Sequence, residues 1–213
     1  MNMRTIIVSM LLFLPLMLAA QTDWEKPNAN TTPTPSKATA ESQEYKYAKY
    51  LEGAVPVKDG EVVWDATFEN SKSAIDNYNL MLDFLTKMTK EENQTAESCV
   101  TLVSQNEKKI VAHYVEWLVF SSKLLSLDRT EMQYVLECDC YDHKVYAKIF
   151  RIRYHYEENR KGGERFQAET WITDKYALNK KKTKLSKYSG KFRRCTVDRM
   201  EEILRKIGTA VKQ

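Results

Sequence analysis

Apolar and polar positions alternate most clearly between Met132 and Tyr156. Tyr134, Leu136, Cys138 and Cys140 interleave with Val135, Glu137, Asp139 and Tyr141, the period of two that marks a half-buried strand. Past a turn at Tyr141-Asp142-His143-Lys144, Tyr146, Phe150, Ile152, Tyr154 and Tyr156 take one parity. Val145, Ala147, Ile149, Arg151, Arg153 and His155 take the other. Aromatic and β-branched side chains fill a pleated surface well, so this stretch predicts a long hairpin around which the chain is organised.

The flanking patterns add elements on both sides. Asp59-Gly60 sits between β-branched residues in Val55 to Val63, the signature of a tight hairpin turn. Val62, Trp64, Ala66 and Phe68 then alternate as a strand. Ile75, Tyr78, Leu82 and Leu85, with Met81 and Met88 beside them, predict an amphipathic helix over Ser71 to Thr89, capped by Asn70 or Ser71. Cys99 to Val103 and Ile110 to Phe120 read as strands joined at Gln105-Asn106-Glu107-Lys108. In the longer one, Val111, Val115, Trp117 and Val119 oppose Ile110, Ala112, Tyr114, Leu118 and Phe120; two apolar faces predict a central strand. Ser121 to Thr130 reads as a loop or short irregular helix, because Leu124, Leu125 and Leu127 are too few to anchor more. Glu158 to Glu164 is a turn, and Phe166, Ala168, Thr170 and Ile172 predict an edge strand. Thr196 is placed as the cap of a last helix whose stripe is Met200, Ile203, Leu204, Ile207 and Val211. Helices at both ends of a run of strands give an α+β fold, a curved antiparallel sheet with two helices packed on one face.

The N-terminal region reads differently. Residues 1–20 carry Arg4, an apolar run from Ile6 and a small-residue end at Leu18-Ala19-Ala20, which is the pattern of a secretory signal peptide. The run is short of the ~20 residues a spanning helix needs, so a membrane anchor is the poorer reading. Residues 21–43, rich in Thr, Pro and Ser, predict a flexible leader, and 44–213 a single domain. The mature chain is therefore expected to be exported, periplasmic or extracellular, with no transmembrane segment. Composition agrees with a folded domain: 43% hydrophobic, 29% charged, and a net charge of +4 that gives no global field for nucleic acid. In an oxidising compartment Cys99, Cys138, Cys140 and Cys195 are candidates for disulfides, with small buried hydrophobes as the equal alternative.

The run Tyr50-Leu51-Glu52-Gly53-Ala54-Val55-Pro56 into Asp59-Gly60-Glu61-Val62-Val63-Trp64 resembles the entry to an uncharacterised domain family. Its members are exported proteins of Gram-negative gut bacteria. The helix at Ser71 to Met88, the strand Ile149-Phe150-Arg151-Ile152-Arg153-Tyr154 and the tail Gly190-Lys191-Phe192-Arg193-Arg194 fit the same pattern. The resemblance implies a fold like that of the TATA-box-binding protein (TBP-like) and no assigned activity or catalytic residues. A fold shared with a DNA-binding protein is no argument for DNA binding.

Candidate chemistry is sparse. From Lys175 to Arg194 the chain is basic and free of acids, with Lys180, Lys181, Lys182, Lys184, Lys187, Lys191, Arg193 and Arg194 among Tyr176, Tyr188 and Phe192. Such a strip suits a polyanion, held with strong salt dependence. Tyr146, Tyr154 and Tyr156, with Arg151 and Arg153 as polar contacts, define a second candidate, an open aromatic sheet face. Cys138-x-Cys140-x-x-His143 lacks the second ligand pair of a zinc site, so no metal or cofactor is expected. No nucleophile elbow, His-Glu-x-x-His or phosphate-cradling glycine loop occurs. His113 and His155 lie on strands as ordinary hydrogen-bonded histidines, and Glu137 with Asp139 could form an acid and base pair, though two solvent-facing carboxylates are the plainer reading. These features predict a non-catalytic binding module of the cell envelope whose partner is an envelope protein or glycan. An envelope polyanion binder using 180–194 is the alternative, and a hydrolase-type enzyme the third reading. Nucleic acid is disfavoured, since exported proteins rarely meet it.

Overall fold

The computed structural model describes residues 47–123, 126–157 and 162–213. The expectations for residues 1–20 and 21–43, the domain start at residue 44, the pair Leu124 and Leu125, and turn positions Glu158 to Lys161 lie outside the described residues. Strands β1 (Val57–Lys58) and β2 (Glu61–Val62) form a small hairpin. Its turn residues Asp59 and Gly60 both have positive φ, +51° and +83°, as a two-residue turn with the right strand twist requires. Strand β3 (Trp64–Glu69) follows, then helix α1 (Ala74–Met88). The cap of α1 is Ser73, not Asn70 or Ser71: its Oγ accepts from the Asp76 amide at 3.2 Å. The helix buries Tyr78, Met81, Leu85 and Met88, whereas Ile75 is exposed.

Strands β4 (Cys99–Ser104), β5 (Lys109–Lys123), β6 (Ser126–Tyr141), β7 (Lys144–Tyr156) and β8 (Glu164–Gln167) complete a six-stranded antiparallel sheet with β3. Its order is β3-β7-β6-β5-β4, and β8 pairs with the far end of β7. The expected loop over Ser121 to Thr130 is instead a continuation of the β5–β6 ladder, with Ser121 opposite Asp128 and Ser122 opposite Leu127. Backbone pairing needs no apolar side chains, so the ladder outruns the hydrophobic pattern. The predicted edge strand also stops early: β8 ends at Gln167 and α2 (Ala168–Trp171) begins. Ala168 and Ile172, four apart, are both fully buried, a spacing that suits one helical face. A short α3 (Asp174–Ala177) leads to α4 (Gly190–Lys212), which starts well before Thr196 with Ser189 as its N-cap.

Both long helices cover the same side of the sheet. Tyr114 on β5 donates to the Leu85 carbonyl of α1 at 2.9 Å. Glu116, two residues on and so on the same face, meets Arg199 of α4, and the Tyr154 hydroxyl on β7 meets Thr196 of α4 at 2.8 Å. One hydrophobic core holds these contacts, from Met81 and Leu85 through Tyr114, Tyr134, Leu136 and Ile149 to Met200, Ile203 and Ile207. The fold is thus the expected α+β arrangement with both helices on one face. Among the described residues no helix is long and apolar enough to cross a membrane.

Candidate interaction surface on the uncovered sheet face

Strand β7 changes phase part-way along, and this change builds the site. Val145, Ala147 and Ile149 point into the core, but the next buried residues are Ile152 and Tyr154. Gln133 pairs with Arg153 and Val135 with Phe150, so Tyr134 alone spans both Arg151 and Ile152. That is a β-bulge with its extra residue on β7. Arg151 sits in it with φ +56°, a left-handed conformation uncommon for a residue with a Cβ. The bulge moves the strand's second half to the opposite parity and leaves Arg151 and Arg153 exposed on the uncovered side.

The β1–β2 hairpin stands beside this bulge. Glu169 of α2 accepts from the Val62 amide at 2.9 Å and fixes the hairpin in place. A groove of about 400 Å³ results, lined by Asp59, Gly60, Glu61, Arg151, Ile152, Arg153, Gln167 and Glu169. On the hairpin's other side a groove of about 250 Å³ is lined by Lys58, Asp59, Glu61, Val63, Asp65, Tyr146 and Lys148. The second groove holds one matched pair. Lys58 reaches Asp65 at 2.6 Å, and the Tyr146 hydroxyl donates to the same carboxylate at 2.9 Å. The Lys58 ammonium therefore holds Asp65 below the usual carboxylate range against its partial burial, while burial and Asp65 push Tyr146 up to about 12. Farther along, Lys109 bridges Glu137 and Asp139 at 3.0 and 2.9 Å, and the Arg129 guanidinium covers the Trp117 ring at 3.6 Å. Glu137 and Asp139 are held as an ion-paired set rather than as an acid and base facing a substrate.

Arg151 and Arg153 are different. Among the described residues neither makes an ion pair or a hydrogen bond, although Asp59, Glu61 and Glu169 line the same groove. Two guanidiniums, each an always-charged planar fork of donors, are thus presented without a charged or hydrogen-bonded partner in a concave polar site, that of Arg151 lying 5.6 Å from the Phe150 ring.

The other expected site residues separate. Tyr154 does not belong to the open face: it is 2% exposed beneath α4, because the bulge turns it inward. Tyr156 lies half-buried on the covered side, its ring 5.3 Å from that of Phe192 and its hydroxyl donating to Asp128. Lys191 pairs with Asp128 at 2.8 Å. Arg193 is wholly buried, donating to the carbonyls of Tyr50, Leu51 and Ile172 and pairing with Asp174. It is a tie between segments and cannot serve a surface. Arg194 is half-buried with its guanidinium 5.9 Å from the Tyr47 ring, and Lys182 pairs with Glu52. Lys180 and Lys181 are exposed. All four cysteines are free thiols in this structure. Cys138 and Cys140 are buried on the core face, and burial pushes Cys140 up to about 12, whereas Cys99 is exposed at the sheet edge. His143 is exposed at the hairpin tip, away from those thiols, so the three do not gather as ligands.

Sequence reasoning missed the buried pair of Glu116, 0% exposed, and Arg199, 8% exposed. Arg199 grips both carboxylate oxygens at 2.8 and 2.9 Å, and Gln94, Asn93 and Tyr134 complete the shell. The signal was a charge at the parity of Tyr114 and Leu118.

Residues 67–155 match the family described as DUF4468, a domain of unknown function with TBP-like fold. A crystal structure of a DUF4468 family protein from Bacteroides ovatus is 36% identical, covering 78% of this chain and 95% of that one at a TM-score of 0.72. A TBP-like protein from Parabacteroides distasonis, 20% identical over 74% of this chain and 97% of its own, superposes at a TM-score of 0.60 and shares the fold. No functionally curated protein matches.

Proposed function

Because the chain belongs to the DUF4468 family of TBP-like domains, we propose that it is a non-catalytic binding module of the cell envelope, working through the uncovered sheet face. Its partner presents an acidic group (carboxylate, sulfate or phosphate) to Arg151 and Arg153. One observation carries the reading: two exposed arginines share a groove with three acids and pair with none of them. A surface meant only to stay soluble has no need of a positive-φ bulge to aim two guanidiniums into a cleft. The paired state of Glu137 and Asp139 supports a role without acid–base chemistry. The signal-peptide pattern of residues 1–20 supports an exported setting.

Hydrogen exchange of the protein with and without a Bacteroides ovatus envelope extract tests this. Slower exchange is expected over the β1–β2 hairpin and Tyr146 to Tyr156, and is expected to vanish in Arg151→Glu/Arg153→Glu. Protection confined to other segments, or kept in the double variant, overturns the proposal.

A further inference from the structure

A second surface shares no residue with the arginine groove. Between α3 and α4 the chain makes a compact loop whose backbone is fixed by one side chain. Asn179 Oδ1 accepts from the amides of Thr183 and Lys184 at 2.9 and 3.2 Å. The Asn179 amide donates to the Lys184 carbonyl, and Leu178 bridges Leu185 below the turn. The loop therefore holds its lysines in a set arrangement. Lys175, Lys180, Lys181, Lys184 and Lys187 are all exposed, and among the described residues none of them forms an ion pair. Glu52 pairs with Lys182 at the loop's edge, yet these five cations pair with no acid among the described residues.

Two tyrosines lie among them, Tyr188 at 72% exposure and Tyr176 at 42%. Each has a neighbouring ammonium over its ring, Lys175 at 4.9 Å from the Tyr176 centroid and Lys187 at 5.8 Å from that of Tyr188. Rings covered in this way offer edges and hydroxyls, which suits a headgroup layer better than the stacking of bases. The long helix α4 begins at Gly190 with no acid in its first turn, so its positive end adds to the same field.

We propose that this loop docks the protein on an anionic lipid surface, with the lysines against lipid phosphates and Tyr176 and Tyr188 at the headgroup level. The attachment is peripheral and electrostatic. Each lysine near such a surface raises partitioning roughly fivefold, and the effect falls off within a Debye length.

Co-sedimentation of the full chain with phosphatidylcholine vesicles, with and without phosphatidylglycerol, tests the proposal. Binding is expected only to the anionic vesicles and is expected to fall steeply with salt. Lys180→Glu/Lys181→Glu/Lys184→Glu should weaken it by roughly two orders of magnitude, whereas the three Lys→Arg changes should retain it. Tyr188→Ser should lower binding severalfold at unchanged charge. Since these side chains are exposed, thermal unfolding of each variant is expected to match the parent. Arg151→Glu/Arg153→Glu should keep at least half of the vesicle binding, which separates this surface from the groove. Equal binding to both vesicle types, an unaffected triple Glu variant, or retention by heparin or DNA without vesicle binding would each overturn the lipid assignment.

Discussion

On β6, Tyr134, Leu136 and Cys138 are sealed from solvent, whereas their neighbours Val135, Glu137 and Asp139 are half-buried on the outward side. The strand is one, but its two sides handle charge in opposite ways. Toward the helices each ion is closed in by partners: Glu116 by Arg199, Gln94, Asn93 and Tyr134, and Arg193 by three carbonyls and Asp174. Outward, some charges pair side to side, as Lys109 does with Glu137 and Asp139, and others stay unpaired, Arg151 and Arg153 among them. Polar groups on the covered side hold segments together. On the uncovered side some are left available, and availability is what recognition requires.

The sharpest way to break this contrast is to strip one partner from the covered side. Arg199→Leu leaves Glu116 charged and buried and is expected to cost about 3–5 kcal/mol in urea unfolding. Glu116→Leu/Arg199→Leu should recover most of that loss; a double variant as unstable as the single one would show that the pair is not the cause. A middle-sized effect is expected from acid. Burial alone would raise the Glu91 carboxyl, but hydrogen bonds from Lys206 and Arg199 outweigh it and hold it low; Asp65 is held low by Lys58. Carboxyls lowered by folding stabilise the protein above the unfolded range near ~4, and the contribution drains as pH falls through the folded values. Thermal midpoints should thus be steady near neutrality and drop in acid. Glu91→Gln should blunt that drop more than Asp65→Asn, because Glu91 joins two cations of α4. The smallest effects belong to the open arginines: Arg153→Ala should move stability by less than about 0.5 kcal/mol. Arg151→Gly should raise it by up to about 1 kcal/mol, since glycine takes φ +56° without steric cost. Large losses at either position would place them among the structural ties instead.

Much of the fold was legible in the sequence because its strongest signals are periodic. The central hairpin, its turn at Asp142-His143, the Asp59-Gly60 turn and the final helix's stripe through Met200, Ile203, Ile207 and Val211 all follow from spacing alone. What failed was whatever depends on a partner in space. The ladder past Ser121 rests on backbone pairing, and the early start of α4 rests on Phe192 and Arg193 packing inward. The bulge was written in the sequence as a break between Ile149 and Ile152, and reading strict alternation through it put Tyr154 on the wrong side. Of the expected surface, Tyr146, Arg151 and Arg153 lie on the open side, while Arg193 lay hidden among other basic residues because composition cannot tell a buried guanidinium from a free one.

The additional residue on β7 has a consequence for how such a domain can vary. It acts as a slip joint: the half of the strand gripping the core and the half carrying the rim no longer share one phase. Gain or loss of a single residue at the joint re-aims the rim side chains while the anchored half keeps its footing. Relatives can in this way vary the rim through a change that would turn a strand without such a joint inside out.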